Sequence, residues 1–201
     1  MKKNLTVLLL VAGAVLFQLQ DWMHGTSHTG VASAAQGVTA DVVGVYFTPP
    51  SGAAAGVVNA IDASQREVLV QAYSFTHNGI AQALLRAHRR GVAVRVLLDE
   101  KSHATNRYVI DLLSGEGVSL RGDGKHAIAH NKVMVIDDLV VVTGSFNFTN
   151  AAETRNAENL LILKSPELAA AYKTQWQLHW DHGSAVDVNA IDLAAPGKRR
   201  N

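Results

Sequence analysis

Cysteine is absent from all 201 residues. That excludes disulfides, a thiolate nucleophile and a cysteine-ligated zinc, so the folded part has only its apolar core to hold it. A strong net charge is missing too: 18 Lys and Arg stand against 17 Asp and Glu, a balance of +1. Residues 1–34 carry Lys2, Lys3 and Asp21, and without them 16 charges of each sign remain, net zero. A neutral chain meets a polyanion only through a local patch. Arg86, Arg89, Arg90 and Arg95 and the terminal Lys198-Arg199-Arg200 are candidates for one, and they suit a solvated helix face and a frayed end equally well.

What is present begins with a polarised N-terminus. Lys2 and Lys3 precede an apolar run, Leu5 to Phe17, broken only by Thr6 and ended by Gln18, Gln20 and Asp21. A positive start, a short greasy middle and a polar end describe a secretory signal. Thirteen residues are few for a helix crossing a bilayer. Ala32-Ser33-Ala34 offers small residues for cleavage, with Ala35 as the mature start. Residues 1–34 are therefore expected to be a signal peptide or an N-terminal anchor, and the protein to be exported, periplasmic or secreted. Residues 35–40 read as a flexible start, 41–182 as one domain and 183–201 as a C-terminal tail.

Beyond residue 40 apolar patterns of two periods alternate. Strands are expected at Val42–Phe47, Glu67–Tyr73, Val92–Leu98, Val118–Leu120 and Asn159–Leu163. Helices are expected from Ser51, a capping residue, to about Ala63, from an Asn78 cap to Gly91, at Tyr108–Leu113, and from Pro166 to about His179. Lys132–Ile136 and Leu139–Thr143, separated by Asp137-Asp138, suit a tight hairpin. Strands alternating with helices predict an α/β fold, a mixed sheet flanked by helices on both faces.

Chemistry concentrates in His130-Asn131-Lys132-Val133-Met134-Val135-Ile136-Asp137 and Gly144-Ser145-Phe146-Asn147-Phe148-Thr149. Side chains alternate faces along a strand, so His130 and Lys132 point the same way, their backbones about 7 Å apart. Asp137 has the opposite parity and lies at the turn, where it holds the turn or a buried partner. Ser145 and Asn147 share parity and face a common site, while Phe146 and Phe148 turn inward. An imidazole, an ammonium, a hydroxyl and a carboxamide suit a phosphoryl group, whose oxygens need donors during in-line displacement.

HNKVMVID matches the H-x-K-x-x-x-x-D signature of the phospholipase D superfamily, and GSFNFT its downstream G-S-x-N element. The chain resembles the small bacterial endonucleases of that superfamily that carry one motif and work in EDTA, over about residues 41–182 and including AYSFT at 72–76 and AAETRNAEN at 151–159. The resemblance implies a phospholipase D-like fold with His130 attacking phosphorus and Lys132, Ser145 and Asn147 binding the phosphate oxygens. Glu158 matches the glutamate that orients the histidine. No cofactor and no metal are implied. Phosphohistidine chemistry uses two histidines, a nucleophile and an acid; with one motif, the second His130 comes from another subunit, and a symmetric homodimer follows.

Three functions are compatible with this reading. The first is a nonspecific endonuclease on DNA, with RNA as a second substrate. The second is a phospholipase D acting on lipid headgroups, with the membrane a partner if the N-terminal segment is retained. The third is a noncatalytic nucleic-acid-binding dimer. Several residues carry weaker signals. His126 and His130 have helical metal-ligand spacing but run into a strand. His179, Asp181 and His182 suit the dipole at a helix C-terminus. Asp99-Glu100-Lys101 reads as a plain strand exit ahead of a cleft border, Tyr73 as core ahead of a base-stacking ring, and Phe75 as either.

Overall fold

Glu67–Ala72 (β2) is buried at all six positions. A strand hidden on both faces needs a layer above and below it, and the two apolar sets of the chain supply them. The computed structural model describes residues 37–191 except Ser51, and the described residues from Val38 on form one compact unit. The expected signal segment, the Ser51 cap and the basic Lys198–Arg200 end lie outside the described residues.

The other strands are Asp41–Thr48 (β1), Ala93–Asp99 (β3), Ser119–Asp123 (β4), Lys132–Ile136 (β5), Val140–Gly144 (β6), Glu158–Lys164 (β7) and Ser184–Ala185 (β8). They form one eight-stranded sheet in the order β1-β7-β6-β5-β2-β3-β4-β8. β2, β3 and β4 run parallel; every other neighbouring pair is antiparallel. The expected mixed α/β sheet is therefore present. One face is covered by Ala53–Asp62 (α1), Asn78–Arg89 (α2), Arg107–Gly115 (α3) and the short Asn150–Thr154 (α4), around a core that includes Val57, Leu84, Val96, Ile110 and Phe146. The opposite face is covered by Pro166–His182 (α5), which packs Ala169 and Trp176 on Leu69, Leu97, Val133, Val135 and Val141.

Three local expectations change. The residue capping α2 is His77, whose Nδ1 accepts from the Ile80 N–H at 3.3 Å. Asn78 is already helical, and its Oδ1 accepts from the Tyr108 hydroxyl. The stretch beyond residue 182 is not a plain tail. β8 extends the sheet edge along β4, and Val186, Val188 and Ile191 pack against the core; a two-residue strand is too short to show a period. The four arginines of the candidate basic patch are engaged. Arg86 and Arg90 meet Asp62, Arg89 meets Glu116, and Arg95 meets Glu67.

Asp137 and Asp138 form the tight hairpin turn with φ of 56° and 57°, the left-handed conformation that such two-residue turns require and that Asp tolerates. The Asp137 carboxylate accepts the backbone N–H groups of Gln65 (2.8 Å), Arg66 (2.7 Å) and Glu67 (3.0 Å). It thereby ties the β5–β6 turn to the start of β2, away from the substrate side. Burial alone would raise its pKa; the three N–H bonds and the Arg66 charge hold it below the usual value. Asp137→Asn keeps the turn conformation but replaces one acceptor by an NH2 group. The variant is expected to lose about 1–3 kcal/mol in urea unfolding at pH 7. Because the folded carboxyl is the stronger acid, its stabilisation is complete above the unfolded value and fades as pH falls through the folded one. The gap between wild type and variant should therefore shrink in acid.

Candidate active site

One end of the sheet gathers the chemistry. The parallel strands β2, β3 and β4 finish there, and the antiparallel β5 and β7 begin there. Lys132 opens β5 opposite Ala72, and Tyr73 N–H bonds to the Asn131 carbonyl at 3.0 Å, so the pairing runs on to the edge of His130. His130 is exposed and Lys132 is buried. Their common direction is fixed by Tyr73: its ring lies 4.8 Å from the His130 ring, and the Lys132 ammonium stands 5.4 Å from its centroid. Lys132 Nζ also donates to the His130 carbonyl at 2.7 Å. Burial pushes the Lys132 pKa down, and the nearby Glu158 charge partly opposes this.

The second half of the site comes from the end of β6 and the start of β7. Gly144 lies so close to β7 that a Cβ would run into the Asn159 carbonyl oxygen. That approach lets the Asn159 carbonyl accept the N–H groups of Ser145 and Phe146, at 3.0 and 3.2 Å. The alternation then follows as expected: Ser145 is exposed and Asn147 half-buried, while Phe146 and Phe148 are fully buried. Ser145 Oγ donates to Glu158 Oε2 at 2.6 Å and accepts the Asn159 N–H at 3.0 Å. Glu158 Oε1 accepts from Asn156 Nδ2 at 3.0 Å. Among the described residues no hydrogen bond joins Glu158 to His130, so within one chain the glutamate orients Ser145. The carboxamide oxygen of Asn147 is buried with no protein partner. A cleft of about 410 Å³ beside it is lined by Ser74, Thr76, Thr105, Asn147, Asn150 and Arg155, among others.

Residues read from the sequence as bystanders hold the approach to His130. Asp99, fully buried, accepts the Ala129 N–H at 2.9 Å, and Lys101 Nζ donates to the Ala127 carbonyl at 2.6 Å. The strand exit Asp99–Lys101 thus clamps the segment that delivers His130. Tyr73, for which sequence reasoning favoured the core over base stacking, lies beside His130 and Lys132; the signal was its position, one residue past the buried run of β2. Phe75 is core, packed edge-on against Phe148 at 5.7 Å. His126 and His130 diverge: His126 turns away to Asp123, where His179 and His182 of α5 also converge. Those two histidines thus serve a side-chain cluster instead of the helix end, while Asp181 accepts from Gln177.

An exposed imidazole and a buried ammonium over one tyrosine, with a carboxylate-held serine on the neighbouring strands, suit the oxygens of a phosphoryl group on an α/β sheet. Comparison with known proteins agrees. A family model described as cardiolipin synthase, PLD-like domain, matches residues 57–180. Phospholipase D of Rickettsia conorii is 41% identical over 134 residues, 67% of each chain. Mitochondrial cardiolipin hydrolase of Xenopus laevis is 36% identical over 126 residues, 63% of this chain and 60% of that protein. The crystal structure of Nuc from Salmonella typhimurium, a phospholipase D family member, superposes with a TM-score of 0.71 at 36% identity, covering 74% of this chain and 99% of Nuc. The chain belongs to the phospholipase D superfamily, and it shares that family's hydrolysis of phosphodiester bonds.

Proposed function

We propose that this chain is an exported endonuclease that cleaves DNA, and RNA as a second substrate, without sequence preference. It acts through a phosphohistidine on His130, in a site completed by a second copy of the chain. The observation that carries the substrate class is the wall of the cleft beside Asn147. Of the nine residues lining it, only Ala151 is apolar. Hydroxyls, carboxamides and the Arg155 guanidinium suit a sugar-phosphate backbone, and backbone contacts carry no base readout. An acyl chain would find a single apolar side chain there, that of Ala151.

In the proposed reaction a neutral His130 nitrogen attacks phosphorus, forming the P–N bond as the P–O bond to one nucleoside breaks. The leaving oxygen takes a proton from the protonated His130 of the second copy. Water then attacks phosphorus and gives its proton to that second imidazole, which is now neutral. The P–N bond breaks and His130 is restored. Lys132, Ser145 and Asn147 hold the non-bridging oxygens as charge builds. Glu158 fixes the serine hydroxyl and balances the Lys132 charge.

The test is cleavage of supercoiled plasmid and of single-stranded DNA by the purified protein in excess EDTA, at a temperature where the EDTA-treated protein remains folded. Cleavage of both is expected. Choline release from phosphatidylcholine vesicles without DNA cleavage would instead support the lipid reading, which the names of the Rickettsia and Xenopus relatives favour. Tight DNA binding with no turnover, unchanged by His130→Ala, would mark a noncatalytic binding protein.

A further inference from the structure

At the same end of the sheet, four side chains outside the phosphate site converge on one point. Asp123 ends β4 and its side chain is fully buried. Its carboxylate meets His126 Nδ1 at 3.0 Å, His179 Nδ1 at 2.6 Å and His182 Nε2 at 3.0 Å. One ligand atom from each of the four lies within 4.8 Å of the others, and the three imidazole rings surround the carboxylate at centroid separations of 4.7, 5.4 and 5.3 Å. The remaining contact of this carboxylate among the described residues is the Lys125 backbone N–H. No lysine or arginine side chain forms an ion pair with Asp123 among the described residues. A fully buried carboxylate is here met only by three imidazole nitrogens and one backbone N–H, and buried charges are paired or bind metals.

We propose that Asp123, His126, His179 and His182 form a structural site for a divalent cation of the zinc class. Three nitrogens and one carboxylate oxygen are a complete tetrahedral zinc set, and a site with all four positions filled by protein is structural instead of catalytic. Oxygen-seeking calcium and magnesium are disfavoured by three imidazoles. Zinc bonds of about 2.0–2.2 Å place neighbouring ligand atoms about 3.4 Å apart. The carboxylate therefore needs to draw back by less than about 1 Å from its present contacts. The ligands come from three places: the end of β4, the segment running to His130, and the last turns of α5. A cation here pins the loop 124–131 to both. It takes no part in the phosphoryl transfer proposed above, and its presence does not depend on that reading.

The test uses the purified protein, stripped with chelator and titrated with zinc chloride against a chromophoric competitor. One zinc per chain is expected, with a higher melting temperature on binding. Cobalt(II) in place of zinc should give the visible d–d bands of a four-coordinate centre. His126→Ala is a suitable variant because that side chain is 45% exposed, so the fold should survive its loss. It is expected to weaken zinc binding at least about tenfold, as is the double variant His179→Ala/His182→Ala. Two results would overturn the site: less than stoichiometric zinc on the folded wild type, or an affinity unchanged in folded His126→Ala. In either case the cluster is a hydrogen-bonded hub for the Asp123 charge. Zinc binding is read without any nuclease assay, so it stands or falls separately from DNA cleavage.

Discussion

Replacing His130 by alanine is expected to abolish DNA cleavage, lowering kcat by about 10⁴-fold or more. In the proposed reaction the imidazole forms and breaks the bond to phosphorus, and the other side chain over Tyr73, Lys132, serves as a charge. Stability should hardly change, within about 0.5 kcal/mol, because His130 is exposed and its side chain makes no hydrogen bond among the described residues. Unchanged urea unfolding beside lost turnover separates a chemical role from a structural one. The same variant tests the shared site. If each reaction needs two His130 side chains, a dimer containing one variant copy is dead. Co-expression of equal amounts of wild type and variant should then leave about a quarter of the wild-type specific activity, the random share of wild-type pairs. About half would mean that each chain works alone, and the second acid would have to come from within the chain. Because one imidazole must be neutral and the other protonated, the wild-type rate should rise and then fall with pH.

The strand parts of this arrangement are legible in the sequence for a simple reason. Alternation along β5 and after β6 decides which side chains share a face, and the motif residues happen to obey it. His130 and Lys132 meet one tyrosine, and Ser145 and Asn147 face out while Phe146 and Phe148 are buried. The Asp137-Asp138 turn is equally local, because two residues between two apolar strands admit few conformations. What could not be read is whatever depends on distant segments meeting. Tyr73 gains its role only because β2 and β5 pair in one register. Asp99 reaches Ala129 across thirty positions. The Asp123 cluster joins residues 123 and 126 to 179 and 182, so no window of the sequence contains it; only the His179–His182 spacing on one helix face hinted at it. Glu158 shows the limit from the other side. The family resemblance marked it as a site residue, but did not show that its partners within one chain are Ser145 and Asn156.

Trp176→Ala is expected to cost about 3–5 kcal/mol, the range for removing a large buried aromatic. Among the described residues four of the five α-helices cover one face of the sheet, so the other face depends on α5, and Trp176 is the largest buried side chain in that second core. Its indole N–H donates to the Val70 carbonyl of β2 at 2.9 Å, its ring stacks on Trp180 at 4.8 Å, and Arg95 lies over it at 5.3 Å. Alanine removes all three contacts and opens a cavity against Leu69, Leu97 and Val135. Trp176→Phe keeps most of the apolar surface but leaves the Val70 carbonyl without this donor; it should cost less, about 1–2 kcal/mol. The measurement is urea unfolding of both variants beside wild type. If Trp176→Ala lost less than about 1 kcal/mol, α5 would be a loosely attached cover. That result would matter beyond stability, since α5 also carries His179 and His182 to Asp123. A helix that detaches easily could not hold the segment leading to His130, and the link between the second core and the site would have to be abandoned.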